Sequence, residues 1–143
     1  MVATSGDRLL AEDAIRTLIE KLMPLATVIT PNLYEAAVLL NTTVASNLEQ
    51  MQSQGEQLLQ LGARAVLMKG GHTNSENATD LLITAVGIEA FSAPRLVTKN
   101  THGTGCTLAS AIAAGLAKQL SLGDSVTQAK NYLQHPVVFF QNR

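Results

Sequence analysis

The residues best suited to chemistry lie between Thr98 and Ala114, where the chain reads TKNTHGTGCTLASAIAA. Gly103, Thr104, Gly105 and Cys106 join a loop to a run of small, helix-compatible residues, so backbone N–H groups converge where a helix begins. The aligned peptide dipoles behind such a start favour negative charge, and the two glycines let a ligand approach the backbone. A thiol in that field is a candidate proton acceptor or nucleophile, because a helix N-terminus favours the thiolate. The spacing has a plainer reading as well: Gly-x-Gly before a helix is ordinary turn chemistry, and a lone cysteine is among the most buried residue types. No Gly-Lys-Ser/Thr follows and the third glycine of a dinucleotide fingerprint is missing, so neither of those two motifs is present.

One further group could serve an anion. Lys69-Gly70-Gly71-His72 stands directly after the apolar run Ala65–Met68, at the carboxyl end of a predicted buried strand, where open parallel sheets bind ligands. Lys69 could meet a phosphate as a point charge, though most lysines after strands are merely solvated. Asn32 and Glu35 follow Pro31 with the spacing of a capping box, which is their structural explanation. His72 reads as loop structure, since no second His, Cys or acid stands at metal-ligand spacing from it. Asp80 reads as a turn or edge residue.

The run Asn-Thr-His-Gly-Thr-Gly-Cys-Thr-Leu over 100–108 resembles the anion-hole signature of the hydroxymethylpyrimidine/phosphomethylpyrimidine kinases, the thiamine-biosynthesis branch of the ribokinase-like superfamily. Most of that superfamily has aspartate where Cys106 stands, and cysteine preceded by Asn-Thr-His is a mark of the pyrimidine branch. Thr30-Pro31-Asn32-x-x-Glu35-Ala36 matches the Asn-x-x-Glu motif, and Lys69-Gly70-Gly71-His72 and Asp80-x-Leu82 match further family segments. Tyr34 departs from the proline common there.

The resemblance implies a three-layer αβα ribokinase-like fold and ATP-dependent phosphorylation of hydroxymethylpyrimidine or its monophosphate. It gives Cys106, Gly103, Thr104 and Gly105 the catalytic roles, and Lys69, Gly70, Gly71 and Thr101 the binding of ATP. It gives Glu35 and Asn32 the organisation of Mg2+. It covers most of the chain, ending near Gln134, but only the C-terminal half of a family member. Met1–Asp7 resembles an internal family stretch, Asp-Pro-Val-Met-Val-Ala-Lys-Ser-Gly, entered at its methionine. The chain is therefore expected to be N-terminally truncated, with one domain over 1–143 and an open sheet edge that could pair with a second copy.

Composition narrows the classes. The chain has 143 residues, 46% of them hydrophobic, and a net charge of -1, which allows one domain with a real core. Its few Lys and Arg are scattered, giving no electrostatic footprint for nucleic acid or an anionic membrane; a small ligand fits better. One cysteine forms no intrachain disulfide, and no basic leader precedes an apolar core, so the expected location is cytoplasmic. No apolar run approaches the roughly twenty residues of a membrane span.

The elements that must position these residues follow from periodicity. Leu10, Ala14, Ile15, Leu18, Ile19 and Leu22 predict an amphipathic helix from Leu10 to Met23, ended by Pro24. Thr27–Thr30 predicts a short buried strand, and Asn32 starts a helix to about Leu40. Ser46 with Glu49 predicts a capping box for a helix with Leu48, Met51, Leu58 and Leu59 as its stripe, ending at Gly62. Ala65–Met68 is a strand, and Thr79–Thr84 with Ile88–Phe91 a hairpin. The helix after Cys106 is predicted to be central and to bury Leu108, Ala109, Ile112, Ala113 and Leu116. A last helix from Ser121 to Gln134 carries Ser121 and Asp124 at capping-box spacing, and His135-Pro136 breaks it before an apolar tail. This order predicts an α/β fold with a mostly parallel sheet and one hairpin.

Two other functions fit the same residues. A non-catalytic remnant or nucleotide-binding module would keep the phosphate-binding groups without the reaction. A thiol hydrolase would use Cys106 with His102, but no orienting acid is evident.

Overall fold

The computed structural model describes residues 10–70, 77–94 and 104–134. They fall into two compact units, Met1–Arg95 and Leu96–Arg143. Gly71, His72, Thr101, His102, Gly103, the N-terminal seven residues and the tail after Gln134 lie outside the described residues. No described helix is long and apolar enough to cross a membrane.

The first unit is built on a three-stranded sheet in the order β1-β2-β3, with β1 Ala65–Met68, β2 Asn77–Thr84 and β3 Gly87–Pro94. All four residues of β1 are buried, which is the pattern of a strand covered on both faces. β1 and β2 pair antiparallel from Ala65↔Thr84 to Met68↔Leu81, and β2 and β3 form the predicted hairpin, longer than its apolar core suggests. The parallel component is a run beside β1 rather than a named strand: Ile29 bridges Val66 and Asn32 bridges Lys69. The full strand predicted over Thr27–Thr30 is thus reduced to isolated bridges. Pro31, which has no N–H to donate, follows immediately and limits how far a ladder can continue.

Helices cover one face. Helix α1, Glu12–Thr17, is shorter than the predicted Leu10–Met23 and continues as a wide π turn, Leu18–Leu22, and a tight 3-10 turn, Met23–Leu25. Pro24 lies within that tight turn rather than after a helix, at a position whose N–H needs no helical partner. The change of pitch rotates the apolar stripe, so that Met23 is 1% exposed while Leu22 is 60% exposed. Helix α2, Leu33–Leu40, ends at Asn41 with φ 50°, a left-handed conformation that asparagine tolerates.

Helix α3, Leu48–Gln60, corrects two expectations. Its cap is Asn47, whose Oδ1 accepts from the N–H of Gln50 at 2.8 Å, and the Gln50 side chain in turn accepts from the N–H of Ser46. The predicted pair Ser46 and Glu49 is thus displaced by one residue, because asparagine caps as well as serine and glutamine can reach back as glutamate does. The buried stripe is Met51, Gln54, Gly55 and Leu58, and Leu48 points outward. Ile15, Met23, Leu33, Met51, Leu58, Val66, Met68, Leu81 and Ile83 form the unit's main cluster.

The second unit pairs α4, Thr104–Ala117, with α5, Leu122–Gln134. Leu108, Ile112 and Gly115 are buried on α4, whereas Ala109 and Ala113 are exposed; alanine is small enough to sit on either face, so the sequence does not fix it. Gly115 lets the helices meet closely. A Cβ there would lie 2.9 Å from the Cβ of Ser125, and Ser125, fully buried, donates its hydroxyl to the carbonyl of Ser121 at 2.8 Å. The cap of α5 is the predicted one: Asp124 N–H donates to Ser121 Oγ at 3.1 Å, and Ser121 Oγ donates to Asp124 Oδ2 at 2.7 Å.

Candidate functional site

The carboxyl end of β1 and the start of α2 meet through backbone. Ile29 N–H donates to Ala65 O, Leu67 N–H to Ile29 O, and Lys69 N–H to Pro31 O at 3.0 Å. This run carries the chain directly into Asn32 and so places the N-terminus of α2 beside Lys69.

Asn32 is the cap of α2 and is 8% exposed. Its Oδ1 accepts from Glu35 N–H at 2.8 Å, and Glu35 Oε2 accepts from Asn32 N–H at 2.8 Å, so both halves of the capping box form. The same Glu35 Oε2 stands 3.9 Å from Lys69 Nζ. One carboxylate oxygen therefore serves the helix start and faces the cation at the end of β1. With these two side chains 21% and 16% exposed, the pair is partly screened from solvent, where charges act more strongly than on an open surface. Replacement of Asn32 by alanine is expected to lower stability by about 1 kcal/mol, and thermal unfolding of the variant beside the wild type measures it; an unchanged midpoint would contradict the cap.

Gly70 follows Lys69 and lies against β2. Its N–H donates to Asp80 Oδ1 at 2.9 Å, a buried bond, and a Cβ at position 70 would run into the Thr79 carbonyl oxygen. Only glycine lets the backbone come this close. Asp80, expected to be a turn or edge residue, is instead a buried carboxylate on the middle strand, 8% exposed. Its signal in the sequence is weak, a single acid before the apolar run Leu81-Leu82-Ile83, and only the pairing of β1 with β2 reveals what it holds.

The expected anion-hole residues lie in the second unit. Thr104, Gly105 and Cys106 form the first turn of α4, with Thr104 and Cys106 exposed and Gly105 half-buried. The thiol of Cys106 is free. The N–H groups of this turn stand at the positive end of the helix dipole, and the helix behind them is fourteen residues long. Asn32, Glu35, Lys69 and Gly70 come together in the first unit, and Thr104, Gly105 and Cys106 in the second. Gly71, Thr101 and Gly103 lie outside the described residues.

Comparison with known proteins draws on both sets. The family model described as phosphomethylpyrimidine kinase matches residues 1–140. The hydroxymethylpyrimidine/phosphomethylpyrimidine kinase of Rhizobium meliloti is 51% identical over 133 residues, 93% of this chain and 50% of the relative. The crystal structure of the phosphomethylpyrimidine kinase from Clostridium difficile matches with a TM-score of 0.79 at 36% identity, covering 94% of this chain and 53% of that one. The pyridoxal kinase of Staphylococcus aureus, solved with AMP-PCP and pyridoxal, matches with a TM-score of 0.86 at 28% identity, covering 96% and 52%. The chain spans about half the length of the relatives it matches. The matched region takes in the Asn32–Glu35 box, the Lys69-Gly70 turn and the first turn of α4, and with a match over nearly the whole sequence the chain belongs to the phosphomethylpyrimidine kinase family, with the ribokinase-like fold.

Proposed function

We propose that the chain binds ATP and carries the phosphoryl-transfer groups for phosphorylation of hydroxymethylpyrimidine or its monophosphate, a step of thiamine biosynthesis. The observation that carries this reading is the cluster at the end of β1, where Lys69 Nζ faces Glu35 Oε2 at 3.9 Å and the backbone at Gly70 has no room for a side chain. Lys69 neutralises nucleotide phosphate as a point charge. Gly70 and Gly71 admit the nucleotide, and Thr101, ahead of the α4 turn, completes the set that binds it.

At the other group, the amides at Gly103, Thr104, Gly105 and Cys106 stabilise the charge that builds on the transferring phosphoryl group. Cys106 Sγ accepts the proton of the substrate hydroxyl or orients it while the new O–P bond forms and the β–γ bridge breaks, leaving ADP. Positioning and electrostatics carry most of such a reaction.

Glu35 and Asn32 would hold Mg2+. No three His, Cys, Asp or Glu side chains cluster among the described residues, and a magnesium ion bound by one carboxylate and substrate phosphates needs no such cage. When bound, the ion supplies charge neutralisation across the phosphate oxygens. A reaction fed by ATP belongs in the cytoplasm, where we place this chain.

The test is ADP release by the purified chain with hydroxymethylpyrimidine phosphate, ATP and Mg2+, repeated with EDTA. Pyrimidine-dependent release that EDTA abolishes is the expected result; release independent of the pyrimidine would count against kinase activity. Coverage of only about half of each relative favours a second reading, a module that binds nucleotide through the same residues without transfer. Nucleotide binding with no pyrimidine-dependent release would support it. Pairing of an open sheet edge with a second copy belongs to either reading, and sedimentation at several concentrations measures it: a monomer throughout excludes it.

A further inference from the structure

We propose that Asp80 is a positioning residue for the nucleotide site, holding the peptide after Lys69 so that the Lys69 side chain is aimed at the phosphate-binding side. The inference rests on the ATP-binding reading above and adds to it a residue on another strand, ten positions away, that touches no ligand.

The register places it there. The last antiparallel pair between β1 and β2 is Met68 with Leu81, so one step further on sets Lys69 against Asp80. Lys69 N–H continues the side that Leu67 began and donates to Pro31 O at 3.0 Å. Gly70 N–H, on the β2 side, leaves the main-chain ladder and donates instead to the carboxylate Asp80 Oδ1 at 2.9 Å. The peptides before and after the Lys69 α-carbon are thus pinned in opposite directions, one by the run leading into α2 and one by β2. Two fixed peptides set the direction of the Cα–Cβ bond between them, and the Lys69 side chain that starts there brings Nζ to 3.9 Å from Glu35 Oε2.

Burial sharpens the point. Asp80 is 8% exposed and is followed on its strand by the buried Leu81 and Leu82. A carboxylate in such surroundings is costly unless it is hydrogen-bonded, and an apolar residue there would satisfy the core more simply. Its charge also rules it out as a phosphate ligand, since like charges repel. What it offers is a strong acceptor for a backbone N–H, a bond roughly twice as strong as one between neutral groups. The Thr79 carbonyl beside it closes the space around Gly70, so bond and steric fit act on the same peptide.

The experiment compares wild type with Asp80→Ala, Asp80→Asn and Asp80→Glu in the full chain, reading the affinity for a fluorescent ADP analogue and amide exchange by NMR. Asp80→Ala is expected to weaken binding about tenfold or more and to speed exchange at Gly70 while Leu67, within β1, stays protected. Asp80→Asn keeps an acceptor oxygen and is expected to restore most of the binding. Asp80→Glu moves the acceptor by one methylene and is expected to fall between them, and it carries the test if the alanine variant does not fold. Wild-type affinity in a folded Asp80→Ala or Asp80→Glu chain overturns the proposal and leaves the ATP-binding reading intact. Loss of protection at Leu67 together with Gly70, unrelieved by asparagine, overturns it in favour of a merely structural role. A wild-type chain that does not bind the analogue removes both.

Discussion

Cys106→Ala is expected to lower pyrimidine-dependent turnover by about 100- to 10,000-fold, the range of a lost general base, and to leave the affinity for ADP within about twofold, well under the 1.4 kcal/mol of a tenfold change. The separation follows from where the residue sits. Cys106 is exposed in the first turn of α4, so truncating it opens no core cavity, and surface changes of this kind move stability by no more than about 0.5 kcal/mol. The backbone amides proposed to receive the phosphoryl group are untouched by the substitution. Steady-state ADP release gives the turnover and titration with a fluorescent ADP analogue gives the affinity. Turnover equal to wild type would remove Cys106 from the reaction; a parallel loss of ADP affinity would make it a binding group instead.

Gly70→Ala is expected to cost about 1–3 kcal/mol of stability. The new methyl would run into the carbonyl oxygen of Thr79 and lie 3.1 Å from its carbon and 3.3 Å from Met51 Cε. Thr79 cannot easily retreat, because it pairs with Ser92 of β3 and stands two residues before Leu81, where the pairing of β2 with β1 begins. For a unit of this size each kcal/mol shifts the unfolding midpoint by about 4–8 °C, so a fall on the order of 10 °C is predicted by calorimetry. Gly55→Ala is the informative control. There the methyl meets Ile83 Cδ1 and Met68 Cγ, side-chain atoms that can turn aside, and a smaller loss is expected. A Gly70→Ala midpoint above that of Gly55→Ala would contradict the close approach of the Lys69-Gly70 turn to β2.

What could be read from the sequence divides along physical lines. The Asn32–Glu35 box, the strand ending at Met68, the hairpin and the cap at Ser121 are local, each set by residues within a few positions, and they form as predicted. Errors enter where neighbouring residues offer equal chemistry. Asn47 and Gln50 displace Ser46 and Glu49 because the two pairs cap equally well, and the buried face of α4 is ambiguous because alanines at 109 and 113 pack or face solvent with little difference. The wide turn at Leu18–Leu22 moves burial from Leu22 to Met23 by a change of pitch that periodicity does not announce.

Asp80 escapes sequence reading for a different reason. Its partner is a backbone amide ten residues away, reached only after two strands have paired, and no spacing encodes such a bond. The Asn32–Glu35 pair shows the converse: a cap is a sufficient reason for those residues, and the resemblance to a kinase motif adds the chemistry. The 3.9 Å approach of Lys69 to Glu35 joins the cap to the end of β1, and this is where a structural motif and the proposed nucleotide site coincide.

The measurement that bears most directly on the phosphoryl-transfer reading is mass spectrometry of the pyrimidine after incubation of the purified chain with hydroxymethylpyrimidine phosphate, ATP and Mg2+. Appearance of the diphosphate, dependent on ATP and lost in Cys106→Ala, is the predicted result. An unchanged pyrimidine beside bound nucleotide would contradict transfer and leave a nucleotide-binding module of the kinase family.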